Sequence, residues 1–250
     1  MILLILTRLE LKAKMLGPDL LNRSLFQLPD IVADYVERSQ LFLPEQRVFQ
    51  ELGGKLANSD VLDIGVGGGR TSGHLMSACR TYRGIDYAPA MVAACRARFP
   101  EAPAMTFFQA DARFLPLDER SIDVAIFSHN GIDCMSHENR LAVLQEVHRV
   151  LKPNGLFFFS SHSLHVYPFQ DQELQSLNSE VDIGLLKTRG WAIVRDNVSW
   201  FYYIYPNTQI KQLKEMNFEP MTAYDMNGKE HDCSTVSDHY MIHYLCRVPA

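Results

Sequence analysis

A glycine-rich turn followed by a lone carboxylate is the part of this 250-residue sequence best suited to chemistry. The segment VLDIGVGGGRTSG, residues 61–73, predicts a buried strand before the glycines and a helix after them. Glycines allow a sharp turn and let a ligand approach the main-chain N–H groups at a helix N-terminus. About twenty residues later a second strand ends at Asp86, whose carboxylate could bind both hydroxyls of a ribose. The two features predict a nucleotide-like ligand at the carboxyl ends of parallel strands.

Two common nucleotide-binding loops fit this turn less well. The dinucleotide fingerprint G-x-G-x-x-G, counted from Gly65, would place Arg70 where the third glycine belongs. A phosphate-binding P-loop requires a Lys-Ser/Thr pair after the glycines, and the sequence has none there. The pattern present is D-x-G-x-G-x-G, with Asp63 before the turn. A glycine-rich turn without any ligand is the structural alternative.

Five segments resemble class I S-adenosylmethionine-dependent methyltransferases in order and spacing. They are VLDIGVGGGRTSG (61–73), GIDYAPAMV (84–92), QADARFLPL (109–117), IDVAIFSHNGID (122–133) and VLKPNGLFFFSSH (150–162). The resemblance is close over residues 56–162 and weak outside them. It implies S-adenosylmethionine as cofactor. It also implies an α/β fold with a doubly wound, mostly parallel seven-stranded sheet, an antiparallel last strand, N-terminal helices and an inserted cap.

The resemblance also implies a role for individual residues. Gly65, Gly67 and Gly69 would line the methionyl part of the cofactor, with Asp63 near its ammonium group. Asp86 would hold the ribose hydroxyls.

The remaining cofactor residues implied by the resemblance lie around the adenine and along the methionyl arm. Tyr87 and Met91 would flank the adenine. Asp111 would accept from its amino group, and the Ala112 N–H would donate to a ring nitrogen. Ser128 and His129 would lie along the methionyl arm.

Candidate catalytic residues follow the fourth and fifth strands. His162 is the first candidate for a general base, because the fifth strand of this fold ends beside the substrate; His129 is the second. Asn130 could present its amide oxygen to an acceptor hydrogen, although Asn130 and Asp133 could instead simply shape the turn. The (D/N/S)-P-P-(Y/F) pattern of enzymes acting on exocyclic base amines is absent here, which argues against a DNA or RNA amine as substrate.

The elements that position these residues predict one domain over residues 1–250. Alternating apolar runs and helical segments predict N-terminal helices over 1–57, a cofactor-binding core over 58–162, a cap insertion over 163–205, and a final helix and strands over 206–250. The aromatic run Trp200–Tyr205 could be core or a wall over the acceptor. Tyr35 and Arg38 could close the cofactor pocket, and Gln209 is predicted to be solvated with Lys211 and Lys214.

Composition limits the classes of function. The chain has 24 Lys+Arg and 29 Asp+Glu, a net charge of −5, which argues against a nucleic-acid binder with a general basic surface. Five scattered cysteines without a CxxC pair predict a reducing compartment, and we expect a cytoplasmic protein. The apolar start Met1–Leu6 is too short for a membrane span or a signal peptide. No compact Asp/Glu/His set predicts a metal site.

The sequence as a whole predicts an S-adenosylmethionine-dependent methyltransferase that acts on nitrogen or oxygen of a small-molecule acceptor. A carbon acceptor stays open. The alternatives are a tRNA or protein methyltransferase and a catalytically silent cofactor-binding subunit. We expect no membrane partner, and the oligomeric state stays open.

Overall fold

The computed structural model describes residues 18–100, 102–166, 191–195 and 199–250. The apolar start Met1–Leu6 and most of the predicted cap lie outside the described residues. No helix in the described ranges is both long and apolar enough to cross a membrane.

Four helices precede the sheet in the part of the chain that begins at residue 18, a region where the sequence predicts helices. They are α1 (Pro18–Leu25), α2 (Pro29–Glu37), α3 (Leu43–Glu51) and α4 (Gly53–Leu56). Pro29 and Pro44 lie in the first turns of α2 and α3, where a missing N–H costs nothing. The Phe42 N–H donates to the Glu45 carboxylate at 2.7 Å, which closes the first turn of α3.

From the first strand to the fifth, strands and helices alternate, except that the third strand leads to the fourth without a helix between them. The strands are β1 (Asp60–Ile64), β2 (Thr81–Asp86), β3 (Met105–Gln109), β4 (Ile122–Phe127), β5 (Leu151–Ser163), β6 (Trp191–Arg195), β7 (Ser199–Ile204), β8 (Glu219–Tyr224) and β9 (Met241–Arg247). The helices are α5 (Ser72–Met76), α6 (Pro89–Arg98), α7 (His137–Val150) and α8 (Pro206–Glu215), with a 3₁₀ helix at Gly131–Cys134. Ser136 caps α7 by accepting from the Asn139 N–H at 3.3 Å.

The sheet confirms the predicted topology. Strands β3, β2, β1, β4 and β5 lie side by side and parallel, whereas β9 pairs antiparallel with β5 and β8 antiparallel with β9. The strand order reverses beside β1, which has β2 on one side and β4 on the other. In open α/β sheets such a reversal leaves a crevice at the carboxyl ends of the strands, and ligands bind there.

Two further strands enlarge the sheet and correct the predicted cap boundaries. The fifth strand runs to Ser163, and β6 and β7 form an antiparallel hairpin. The hairpin joins the main sheet because β7 pairs in parallel with the end of β5, with His162 opposite Tyr203. The end of the segment predicted as a cap is therefore part of the sheet, which has nine strands among the described residues where the sequence predicted seven.

The core has two layers, one on each face of the sheet. Three consecutive phenylalanines of β5 show the alternation: Phe157 and Phe159 pack in one layer and Phe158 in the other, all fully buried. Each such side chain contributes about 1.5–3 kcal/mol through burial. The two buried layers thus hold in place the strands whose carboxyl ends form the crevice.

Candidate active site

A cavity of about 680 Å³ opens at the carboxyl ends of the parallel strands. It is lined by nearly all of the residues that the sequence analysis selected: Asp63, Gly65, Gly67, Asp86, Tyr87, Met91, Asp111, Ala112, Ser128, His129, Asn130 and His162. Gly69 is the exception, because its Cα faces Phe99 and Cys95 instead of the cavity. Gly68, which was not selected, lines the cavity.

The glycine loop is shaped as much by its neighbours as by any ligand. Gly65, Gly67 and Gly69 have φ angles of 64°, 53° and 82°, a region that side chains disfavour. A Cβ on Gly68 would lie 2.3 Å from the backbone carbonyl of Tyr35. Helix α2 therefore lies directly on the loop, and the Arg98 guanidinium ties the two together by donating to the Val36 and Gly68 carbonyls at 3.0 and 2.9 Å.

Asp86 is a buried carboxylate held by backbone amides alone. One oxygen accepts from the Gly67 N–H at 3.0 Å and the other from the Ala88 N–H at 2.9 Å. Burial raises the pKa of this carboxyl to about 6, since the surrounding N–H groups offset only part of the desolvation. Each oxygen retains a lone pair, so the group is suited to accept from two ligand hydroxyls.

Asp63 lies deeper, at the end of β1. One of its oxygens accepts from the Thr71 hydroxyl at 2.7 Å and from the Tyr82 hydroxyl at 2.8 Å. Burial raises its pKa to about 6 despite these bonds. A ligand cation beside it would favour the charged form and lower that pKa.

The cavity lining includes the residues predicted to surround a flat base. Met91 is buried and Tyr87 packs edge-to-face on Phe26, with ring centroids 6.3 Å apart. The Asp111 carboxylate accepts two side-chain bonds from Arg113, at 2.9 and 2.6 Å, and this pairing lowers the pKa of Asp111. A base amino group would have to share Asp111 with that guanidinium.

The N-terminal helices cover the cavity, as expected for Tyr35 and Arg38. Both residues line it, and the Arg38 guanidinium lies 4.6 Å from the centroid of the Tyr35 ring. Burial raises the pKa of Tyr35 well above its ordinary value, so its phenol stays neutral.

An ion pair that the sequence analysis missed ties α3 to the glycine loop. Arg70 donates to both Glu45 oxygens, at 2.5 and 2.7 Å, and the Glu45 side chain is fully buried. Ser128, predicted to lie along the methionyl arm, donates to Glu45 and accepts from Arg70. Although burial opposes it, this bonding holds the pKa of Glu45 below its ordinary value. Arg70, which stands where the dinucleotide fingerprint requires its third glycine, is thus held by an ion pair with Glu45.

The turn after β4 has an unusual backbone. His129 and Asn130 both have left-handed φ angles, 51° and 56°. Two consecutive non-glycine residues in this region are strained, and such strain is typical of functional sites. The Asn130 N–H donates to the Ser160 hydroxyl at 2.9 Å, which helps to hold the turn against β5.

His162 lies between a carboxylate and an amide. Its Nδ1 is 2.9 Å from Asp133 Oδ2, and its Nε2 is 2.9 Å from Asn130 Nδ2. The His162 backbone N–H also donates to Asp133, at 2.6 Å. Asp133 therefore does more than shape the turn: it orients the imidazole, with Nδ1 as donor and Nε2 as acceptor.

Arg140 is the ion-pair partner of Asp133, and it was not among the residues selected from the sequence. Both side chains are fully buried and form an ion pair. Arg140 also donates to Gln209 at 2.6 Å. The prediction that Gln209 is solvated is wrong: it is fully buried, because the buried guanidinium needs an acceptor. The signal in the sequence was a charged residue on the buried stripe of α7, beside Val143 and Val147.

His129 differs from His162 in its surroundings. It contacts the rings of Tyr35 and Phe42, at centroid distances of 6.4 and 5.3 Å. Burial, reinforced by Arg70 and Arg38, lowers its pKa to about 4. His129 is therefore neutral at physiological pH, and it lacks the carboxylate that orients His162.

The sequence left open whether the aromatic strand β7 belongs to the core or to the wall of the cavity, and it belongs to both. The rings of Phe201 and Tyr203 lie 5.3 and 4.8 Å from the His162 ring, and Phe201 lines the cavity. Tyr202 faces the other way and is buried under Arg140, whose guanidinium is 4.4 Å from its ring centroid. Alternation along the strand thus gives one cavity face and one core face.

Comparison with known proteins agrees with this geometry. Residues 61–155 match the methyltransferase domain family. A "Probable S-adenosylmethionine-dependent methyltransferase" of Mycolicibacterium smegmatis is 30% identical over 173 residues, which cover 66% of this chain and 64% of the relative. The phthiotriol/phenolphthiotriol dimycocerosates methyltransferase of Mycobacterium tuberculosis is 32% identical over 172 residues, covering 63% of this chain and 61% of the relative. The chain thus spans slightly less than two thirds of these two relatives.

A solved structure shares the fold across most of the chain. The Burkholderia thailandensis 1,6-didemethyltoxoflavin-N1-methyltransferase, solved with 1,6-didemethyltoxoflavin and S-adenosylhomocysteine, superimposes with a TM-score of 0.62 at 15% identity. The alignment covers 92% of this chain and 88% of that one. Residues 61–155 therefore form a methyltransferase domain, the described sheet has the class I, Rossmann-like fold, and S-adenosylmethionine is the cofactor after which the Mycolicibacterium relative is named.

The residues present fit that cofactor. The ligand carries a ribose diol, an ammonium group and a flat base. The cavity holds one buried carboxylate with only backbone partners, Asp86, and a second one, Asp63, whose pKa a cation would lower. The residue roles implied by the resemblance stay predictions.

Proposed function

We propose that this protein transfers a methyl group from S-adenosylmethionine to a nitrogen or oxygen atom of a small-molecule acceptor, with His162 as general base. One observation carries the proposal: Asp86 and His162 border the same cavity, and Asp133 bonds to His162 from behind the cavity wall. The first group suits a ribose and the second suits proton removal. Their common cavity supports a single reaction site.

The cofactor residues divide by chemistry. Asp86 accepts from the ribose hydroxyls, and Asp63 lies near the ammonium group. Tyr87 and Met91 flank the adenine, whose edge meets Asp111 and the Ala112 N–H. Ser128 lies along the methionyl arm, together with the loop glycines. The assignments are supported because these residues, with Gly65 and Gly67 of the loop, all line the cavity.

His162 removes the proton of the acceptor as general base. When bound, S-adenosylmethionine supplies a methyl group on a positively charged sulfur that leaves readily as a thioether. The protein then has to align the acceptor, exclude water and take up a proton. Asp133 fixes Nδ1 as the protonated nitrogen, so Nε2 carries the lone pair that receives the proton. The Asn130 amide lies beside Nε2 and orients it.

The names of the similar proteins support a small acceptor. The Burkholderia enzyme is a didemethyltoxoflavin methyltransferase, and the mycobacterial relative is named for phthiotriol and phenolphthiotriol dimycocerosates. The net charge of −5 argues against a nucleic-acid substrate that requires a general basic surface. A cytoplasmic location, proposed from the cysteine pattern, accords with the five cysteines, which lie in the described part of the chain and form no disulfide there.

Calorimetric titration tests the proposal. We expect saturable binding of S-adenosylmethionine and no binding of NADH, and loss of binding in Asp86→Ala. Asp118→Ala, an exposed carboxylate that does not line the cavity, is the matched control and should bind as the wild type does. Binding of NADH, or an unchanged affinity in Asp86→Ala, would contradict the proposed cofactor site.

A further inference from the structure

We infer that the acceptor atom is the oxygen of a phenol-type hydroxyl, and that His162 Nε2 receives its proton. This inference rests on the proposed function and narrows it. Three independent observations carry it: the distribution of carboxylates, the two-faced amide of Asn130, and the apolar walls around His162.

The carboxylates are placed for a neutral acceptor. Among the described residues that line the cavity, the acidic ones are Asp63, Asp86 and Asp111, all on the cofactor side. An aliphatic amine is a cation at neutral pH, and a buried site must neutralise that charge with an anion. A hydroxyl is neutral before and after methylation, so it needs a base for its proton and no further anion.

Asp133, the remaining acid near His162, has no capacity left for a substrate cation. Its Oδ1 accepts from Arg140 and, at 2.8 Å, from the Ser161 hydroxyl. Its Oδ2 accepts from the backbone N–H and from Nδ1 of His162. All four lone-pair positions of the carboxylate are thus in use. Its charge stabilises an imidazolium on His162 and does not reach an acceptor.

The Asn130 amide is suited to both protonation states of His162. Its Nδ2 donates toward the lone pair of a neutral Nε2, while its Oδ1 is buried and has no partner among the described residues. Because Nε2 has a single lone pair, the amide must turn aside before the acceptor hydroxyl can bond to Nε2, and after Nε2 has gained the proton and the product has left, Oδ1 can accept from it. The unpartnered oxygen then acquires a hydrogen bond in the charged state.

The acidity of the acceptor must match that of imidazole. The ordinary pKa values are about 6.5 for histidine and about 10 for a phenol such as tyrosine, so the uphill transfer is about 10³–10⁴-fold. For an aliphatic hydroxyl near that of water, with a pKa of about 15.7, it is about 10⁹-fold. A single histidine therefore suits a phenol far better than an alcohol.

The walls around His162 suit an aromatic ring. Phe201 lies 5.3 Å from the imidazole, ring to ring, and lines the cavity together with Val166 and Met135. Tyr240 also lines it and is 44% exposed, which places it at the mouth. Flat apolar acceptors pack well between such side chains.

The step balances without any further reactant. The hydroxyl oxygen forms the new C–O bond while the C–S bond of the methyl donor breaks, and that bonding pair stays on sulfur as its positive charge disappears. The hydroxyl proton moves to His162 Nε2, giving an imidazolium paired with Asp133. The products are an aryl methyl ether, the thioether and one proton, which passes to water.

A matched pair of acceptors tests the inference. 1-Naphthol and 1-naphthylamine have almost the same shape, and cyclohexanol represents an aliphatic alcohol. With S-adenosylmethionine present, we expect 1-naphthol to form thioether product at least ~10-fold faster than either alternative. Faster reaction of the amine or of cyclohexanol, or no reaction of 1-naphthol in a protein that binds the cofactor, would overturn the inference. Failure to bind the cofactor would instead contradict the proposed function.

His162→Gln tests the base, with exposed His74→Gln as matched control. We expect a loss of about 10²–10⁴-fold in kcat with phenol and a smaller loss with the more acidic 4-nitrophenol, because a phenol that ionises by itself needs less help. The rate of the variant should rise with pH toward the pKa of the phenol, and its affinity for S-adenosylhomocysteine should equal that of the wild type. Equal losses for both phenols would show a merely structural histidine and overturn the assignment.

A binding measurement gives a readout that does not depend on turnover. 4-Nitrophenol changes colour when it ionises, so its absorbance reports proton transfer to the protein. We expect the bound dye to be more ionised in wild-type protein and in His74→Gln than in His162→Gln at the same pH. The same degree of ionisation in all three would contradict proton transfer to His162.

Discussion

Cofactor affinity should fall steeply in mild acid. Asp63 and Asp86 both have pKa values near 6 in the free protein, because each carboxylate is desolvated and neither has an adjacent cation sufficient to offset this. Binding the ribose diol and the ammonium group requires both in the charged form. At low pH the two groups must therefore release protons before the ligand is held.

The magnitude follows from the two pKa values. With a pKa of about 6, one carboxylate is about 90% protonated at pH 5 and almost fully charged at pH 8, so each group weakens binding about 11-fold at pH 5. Two independent groups give about 120-fold, or about 2.8 kcal/mol. The sign is fixed: raised acid pKa values weaken binding as pH falls through 6.

Calorimetric titration of S-adenosylhomocysteine at pH 5, 6, 7 and 8 checks this prediction. Asp86→Asn removes one titrating group, so its remaining affinity should depend on pH only about 11-fold over the same range. The pKa of His129, about 4, lies outside that range. A dissociation constant that changes less than ~3-fold between pH 8 and pH 5 would refute the reasoning that these two carboxylates bind the cofactor.

Two further predictions concern packing and buried charge. Gly68→Ala would place a Cβ 2.3 Å from Tyr35 backbone atoms, so we expect a loss of about 1–3 kcal/mol in unfolding free energy and weaker S-adenosylhomocysteine binding. Gly54→Ala, with open space around its Cα, is the control, and equal stability of the two variants would contradict the steric argument. Arg140→Met leaves a buried carboxylate unpaired and should cost about 3–5 kcal/mol in urea unfolding. Arg247→Met breaks an exposed pair and should cost under about 1 kcal/mol, so similar losses for both arginines would contradict this.

Local patterns explain why much of the cavity could be predicted. The glycine turn, the spacing to Asp86 and the strand ends at Ser128 and His162 are all encoded within short segments. Parallel strands then bring these ends to one edge of the sheet whatever the rest of the chain does. For that reason the sequence located the cavity wall without any knowledge of the partners of each residue.

Buried charge was the part that the sequence did not predict. Glu45 pairs with Arg70, 25 residues away, and Arg140 with Gln209, 69 residues away. Nothing local distinguishes a charged side chain that meets a buried partner from one that meets water. Gln209 was consequently placed in solvent.

The hairpin of β6 and β7 shows a second limit. The alternating aromatic pattern of Trp200–Tyr205 predicts a strand but not its neighbour. Pairing with the end of β5 depends on where β4 stops: β4 pairs with β5 only up to residue 159, and β7 pairs at 162 and 163, whereas β9 pairs with residues 156–162 along the other edge. A register detail of this kind is decided by tertiary packing.

The position of α2 on the glycine loop has a consequence for the order of events during synthesis. The helix is made early, yet what holds it comes later in the chain: Gly68 beneath Tyr35, and Arg98, which donates to the Val36 carbonyl from 62 residues away. Domains grow from the N-terminus on the ribosome, and distant contacts form slowly. The N-terminal helices emerge first but can dock only after the glycine loop and Arg98 have been synthesised and folded. We therefore expect these helices to complete the cofactor site last.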